Sequence, residues 1–207
     1  ARCLEAAGDY PAAEAIYDDL LKSNPCNLVA LQRKYCIARA TKKSPEDVIA
    51  ALNDYLGQQL ADVSGWYEMY KLRMNLADFK GAAYALEQVV LGCPLEGDIH
   101  RQLAEVYATL GGLENSGLAR KHMAQALELD PNNVRAQFGL VSVANQYLEE
   151  SEASNKKLVD EHEKLVASEL VKYGAAEVLK TYKGNKMFAT VKRVMDDYTD
   201  NLPSSSQ

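Results

Sequence analysis

Three histidines, four cysteines and one glycine-rich segment are the parts of this 207-residue chain that could carry chemistry. His100, His122 and His162 lie far apart in sequence, on three separate helical stretches. His162-Glu163 lacks the second histidine that a helical zinc-protease motif requires. Cys3, Cys26, Cys36 and Cys93 contain no C-x-x-C pair, and no cysteine–histidine pair has a ligand spacing. Neither a metal site nor a redox couple is predicted. Gly111 to Gly117 lacks the Gly-Lys-Ser/Thr ending of a phosphate loop and follows a helical stretch where such a loop follows a strand. A widened turn between helices is the expected reading. Acidic residues are many, but no spacing singles out a catalytic pair. The expectation is a chain that is not an enzyme and holds no cofactor or metal.

The composition says what must position these residues. The chain is 47% hydrophobic and 25% charged, values of a folded globular protein. Its apolar runs are only a few residues long, far short of the roughly 20 that a spanning helix needs. Alanine occurs 28 times and tyrosine 12 times; abundant alanine with few β-branched runs favours close-packed helices. The absence of sequons and the sparse cysteines point to a reducing compartment. The chain opens at Ala1 inside a helical pattern and reads as a segment of a longer protein.

The helices recur. Gly8-Asp9-Tyr10 is followed by Ala13, Tyr17 and Pro25; Ala77-Asp78-Phe79 is followed by Ala82, Leu86 and Pro94 at the same offsets. A third copy runs Ala119, Met123, Ala126, Pro131. This is the tetratricopeptide pattern, a 34-residue helix-turn-helix unit. The alanine lets the two helices of a unit approach, the large residue four later fills the gap, and the proline ends the second helix. The predicted fold is all-α, a right-handed superhelical tetratricopeptide solenoid. Repeats occupy residues 1–148, the first of them truncated. Atypical capping helices cover 149–200, and a disordered tail follows at 201–207. In the capping region Val159, His162, Val166, Leu170 and Tyr173 form one stripe; Phe188, Val191, Val194 or Met195, and Tyr198 form another, with Gly174 and Gly184 as punctuation. A solenoid needs such caps to stay soluble.

In these repeats the first helix of each pair, helix A, lines the concave side. That makes Gln32, Arg39, Tyr67, Lys71, Met74, Arg101, Glu105, Arg135, Phe138 and Asn145 the candidate partner-binding residues. The mix of aromatic, arginine and polar residues is that of interfaces. Truncating Tyr67 or Arg101 to alanine is expected to weaken assembly and leave the fold intact.

Net charge is −6, which disfavours nucleic acid as a partner. The charge is uneven, however. Residues 171–195 hold Lys172, Lys180, Lys183, Lys186, Lys192 and Arg193 against Glu177 alone. That stretch reads as a solvated face, or as a contact with an acidic partner or anionic lipid headgroups.

Some blocks are more specific than the period. Leu52-Asn53-Asp54-Tyr55-Leu56, Gly65-Trp66-Tyr67-Glu68, Gly111-Gly112-Leu113-Glu114-Asn115, Ala119-Arg120-Lys121, Ala124-Gln125-Ala126-Leu127 and Phe138-Gly139-Leu140 together resemble the subunit 2 family of the endoplasmic reticulum membrane protein complex. His122-Met123 departs from the aromatic residues of that pattern. The resemblance covers residues 1–145 well and the last 60 only by length and helicity. It implies a non-enzymatic scaffold whose partners are sister subunits of a membrane protein complex. Such a scaffold sits in the cytoplasm, peripheral on the cytosolic face of the endoplasmic reticulum membrane, held there by those partners. It supports insertion of transmembrane proteins, with no obligate homo-oligomer. The alternative is a tetratricopeptide co-chaperone that clamps the acidic C-terminal tail of a chaperone. Its lysine and asparagine positions are held here by Gln32, Cys36, Ser64, Asp98 and Gln102, and Asp98 would repel the tail.

Overall fold

A computed structural model describes residues 1–153 and 160–202. The described residues form α-helices joined by turns, in two compact units, 1–92 and 93–207. The expected tail at 201–207 falls mostly outside the described residues, as does Val159.

The first unit holds α1 (Arg2–Ala7), α2 (Tyr10–Ser23), α3 (Leu28–Ala40), α4 (Pro45–Gln58), α5 (Val63–Asn75) and α6 (Phe79–Gly92). Each helix packs on the next. The turns inside its helix pairs share one device. Gly8, Lys42 and Ala77 all have positive φ, at 81°, 51° and 55°. The amide after each reaches back across the turn: Asp9 to the Leu4 carbonyl, Lys43 to Ala38, Asp78 to Arg73, at 2.9, 3.1 and 2.9 Å. This is a Schellman closure that satisfies carbonyls the helix end leaves orphaned. Asp9 and Asp78 then cap the following helix through the amides of Ala12 and Gly81. So the Gly-Asp-Tyr and Ala-Asp-Phe signals are one structural unit.

The second unit holds α7 (Gly97–Leu110), α8 (Leu113–Leu129), α9 (Val134–Ala153), α10 (Glu161–Thr181) and α11 (Phe188–Asp200), again packed in succession. The repeat positions recur in the cores of both units. Ala13, Ala82 and Ala119 are fully buried, and Tyr17, Leu86 and Met123 fill the space four residues on. At these three repeat sites, buried alanine is what allows the close helix approach.

Three local expectations need correction. The Gly111–Gly117 insertion does not widen a turn: only Gly111 and Gly112 are non-helical, and the rest lengthens α8 to 17 residues. The Gly112 amide donates to Glu150 Oε1 at 3.1 Å, which ties this turn to α9. Gly174 does not punctuate; it lies inside the 21-residue α10. There a Cβ would stand 2.8 Å from Val141 Cγ2. The buried face of α10 is Ala167, Val171, Gly174, Ala175 and Val178, while Tyr173 is half exposed. On α11 it is Met195, not Val194, that is buried.

The close approach at Gly174 sets a sign that propensity alone gets wrong. Alanine in a helix interior gains about 1 kcal/mol over glycine. Overpacking a core costs about 1–3 kcal/mol, and the short, branched, buried Val141 has no slack. Gly174→Ala is therefore expected to destabilise the second unit by about 1 kcal/mol in urea unfolding. A stabilised variant would contradict the packing described.

Candidate functional site

Helix A faces are built differently in the two units. An asparagine or aspartate starts three of these helices: Asn27 caps α3 through Ala30, Asp62 caps α5 through Gly65, and in the second unit Asn133 caps α9 through Ala136. The caps fix the start of each helix and so which residues turn outward. On α5 the rings of Tyr67 and Tyr70 lie 5.6 Å apart, and the Lys71 ammonium sits 4.4 Å over the Tyr67 ring. Arg39 reaches across from α3 to Glu68 at 3.0 Å. Burial lifts the Tyr35 phenol above its ordinary range, the Glu68 charge adds to this, and Arg39 pulls it part of the way back. Gln32, Arg39 and Lys71 are exposed; Tyr67 and Met74 are partly buried. The result is an aromatic and cationic patch whose members hold one another in place. Tyr35, Glu68 and Tyr70 belong to it and were absent from the sequence-based set. The signal is present in the sequence, since Glu68 adjoins Tyr67 and Tyr35 stands one helical turn before Arg39.

The second unit carries an ion-pair ladder. Arg101 donates to Asp98 from Nε and Nη2 at 2.9 and 2.7 Å, and to Glu105 from Nη1 at 2.6 Å. Glu105 in turn receives Arg135 from α9 in a two-pronged contact at 2.7 and 2.8 Å. Gln102 adds a bond to Asp98 at 2.6 Å. Arg101 is only 7% exposed. It braces the two carboxylates and offers little surface itself, so Arg101→Ala would disturb the fold as well as any contact. Arg135 is the exposed end of the ladder. Phe138 packs edge-on to Tyr182 at 5.9 Å, and Asn145 donates to Glu149 at 2.6 Å. The face thus presents alternating charge, with the arginines geared to carboxylates.

The histidines are not all apart. His100 and His122 bring their Nδ1 atoms to 3.0 Å, and His100 Nε2 lies 3.1 Å from the Pro94 carbonyl. A carbonyl only accepts, so His100 Nε2 carries a proton; in the neutral pair His122 Nδ1 donates to His100. His122 also stacks on Tyr107, with ring centroids 6.0 Å apart. Among the described residues no group of three or more His, Cys, Asp or Glu could hold a metal ion.

Acid should loosen both units. The Glu5 carboxyl is held below its ordinary range, first by its bond to Arg33 and also by Tyr17, whose hydroxyl donates at 2.5 Å. Asp78 is lowered by the Gly81 amide and then by Arg73. For Asp98 burial pushes upward, but the bonds from Arg101 and Gln102 outweigh it. A carboxyl depressed in the folded state contributes stability above its unfolded pKa of about 4 and loses it as pH falls through the folded value. The thermal midpoint should therefore be level from neutral pH to about 5 and fall below about 4. A midpoint unchanged at about pH 3 would contradict these bonds.

The family model of the EMC2 TPR-like repeat domain matches residues 1–117. The chain belongs to this family. The match takes in the Gly-Gly-Leu-Glu-Asn segment and seven of the ten candidate residues, Gln32 to Glu105. The ER membrane protein complex subunit 2-A of Xenopus laevis is 35% identical over 179 residues, covering 86% of this chain and 58% of that protein. The ER membrane protein complex subunit 2 of Xenopus tropicalis is 42% identical over 136 residues, covering 66% of this chain and 46% of that protein. The chain thus spans about half the length of the curated relatives it matches. Among solved structures, MamA superposes with a TM-score of 0.52 at 17% identity, covering 89% of this chain and 91% of that one. That likeness bears on the fold alone. No helix among the described residues is long and apolar enough to cross a membrane.

Proposed function

We propose that the chain is the repeat part of a non-catalytic scaffold subunit of the endoplasmic reticulum membrane protein complex. It works from the cytosolic face and holds sister subunits, and so supports insertion of transmembrane segments into the bilayer. The observation that carries the reading is the family match over residues 1–117, which takes in the helix A faces of α3, α5 and α7. The binding residues we assign are Gln32, Arg39, Tyr67, Lys71 and Met74 in the first unit. In the second they are Arg135, Phe138 and Asn145, with Arg101 and Glu105 setting the position of Arg135. Partners anchor the chain at the membrane, and no obligate homo-oligomer is required. We further assign the helices after residue 148 to capping the last repeat. What supports this is the core that Val171, Ala175, Val178 and Met195 share with α9 residues Val141, Ala144 and Leu148.

A chaperone-tail clamp is not favoured. It needs free cations on helix A, whereas the second unit's Arg101 is already engaged by Asp98 and Glu105. Affinity purification with identification of the captured proteins tests the proposal: sister subunits should be recovered and chaperones should not.

A further inference from the structure

The end of α10, the turn after it and the first half of α11 hold five cations and no acid between residues 178 and 195. Lys180, like Lys172 earlier on α10, is answered on its own helix, by Glu177 at 3.3 Å; Glu169 answers Lys172 at 2.8 Å. Lys183, Lys186, Lys192 and Arg193 are exposed, and among the described residues no carboxylate lies within ion-pair distance of them. Their nearest acids along α11, Asp196 and Asp197, stand one turn on. The turn that carries the first two lysines is tightly built. Gly184 takes φ +85°, the Asn185 amide donates to the Tyr182 carbonyl at 2.9 Å, and Asn185 Oδ1 accepts from the Met187 amide at 2.9 Å. At its tip Met187 is 53% exposed.

We propose that this corner is a direct contact for an anionic lipid surface, with Lys183, Lys186, Lys192 and Arg193 facing headgroups and Met187 entering the acyl boundary. An apolar side chain flanked by cations matches the two layers of a bilayer surface, charge outside and hydrocarbon beneath. An acidic peptide fits less well. The adjoining cleft, of about 470 Å³, would have to receive it, and that cleft is lined by Glu149, Glu152 and Asp197. The chain's net charge of −6 does not decide the matter, because acids beyond about 8–10 Å are screened at physiological salt while the patch touches the surface.

The proposal goes beyond the scaffold reading and is independent of it, since the test contains no other subunit. The purified chain is sedimented with vesicles of phosphatidylcholine alone and with vesicles in which part of it is replaced by phosphatidylserine. The chain should partition onto the anionic vesicles only, and added salt should release it. Replacing all four cations by glutamine should lower partitioning at least about tenfold. These side chains are exposed, so circular dichroism and the thermal midpoint should be unchanged. Met187→Ser should weaken binding while preserving its salt dependence. Equal partitioning of parent and four-fold variant would overturn the proposal. So would retention on polyglutamate with none on vesicles.

Discussion

Arg120→Ala should lower the unfolding free energy of the second unit by about 3 kcal/mol. Arg120 is 2% exposed, pairs with Glu163 of α10 and lies 4.7 Å over the Tyr147 ring of α9. One side chain on α8 therefore ties together three helices. Its loss leaves a void beneath Tyr147 and a carboxylate without its cation. The two partners are not equivalent. The Glu163 side chain is 36% exposed, so water can solvate the carboxylate that Arg120→Ala leaves behind, whereas Glu163→Gln leaves the buried guanidinium with only a neutral amide oxygen to receive it and should cost about 2 kcal/mol. Arg120→Met keeps much of the volume and should fall between. Urea unfolding followed by circular dichroism reads all three. An Arg120→Ala change under about 0.5 kcal/mol would mean that the triad is ornamental.

The second large effect concerns binding. Tyr67→Ala should weaken capture of sister subunits by about 2 kcal/mol, roughly thirtyfold. The ring is the platform on which Lys71 sits and against which Tyr70 leans. Removing it unseats both groups at once. The same contacts imply a stability cost of about 1 kcal/mol, well below the binding loss. Lys71→Ala removes a single cation and should cost less in both measures. Arg39→Ala is the useful contrast: Arg39 is largely exposed and pairs with Glu68, so its removal should leave stability nearly unchanged. Binding measured by titration with the recovered sister subunit, beside thermal unfolding of each variant, separates these outcomes. A Tyr67→Ala chain with full affinity would remove the first unit's patch from the interface.

How much of this could be read beforehand depended on which physical signal each residue carried. The helix pairs were legible because their turns repeat chemically. Gly8-Asp9 and Ala77-Asp78 combine a left-handed residue with a capping aspartate, and the following alanine and large residue complete the pattern at fixed offsets. The buried face of α10 lies one residue off the stripe expected from the sequence because the helix packs against both α9 and α11. A helix with two neighbours buries a broad face, and here small residues form it. Ala167, Gly174 and Ala175 carry little hydrophobic signal, while Leu165 and Tyr173, which carry more, are half exposed. Gly174 looked like a break because glycine usually is one; only the proximity of Val141 explains it. Arg101 sits on the expected helix, but buried. Asp98 and Glu105, three residues before and four after it, were the available sign that it would turn inward along its own helix. The His100–His122 contact had no such sign, since 22 residues separate the two rings.

The claim on which the rest depends is that this chain holds sister subunits of the membrane complex. Affinity purification of the full-length protein from cells, with mass spectrometry of the recovered proteins, tests it most directly. Sister subunits should be recovered in defined proportion and be depleted when Tyr67, Arg39 and Arg135 are replaced together by alanine in a chain that still folds. Recovery of chaperones through their C-terminal tails, with no sister subunit present, would contradict it.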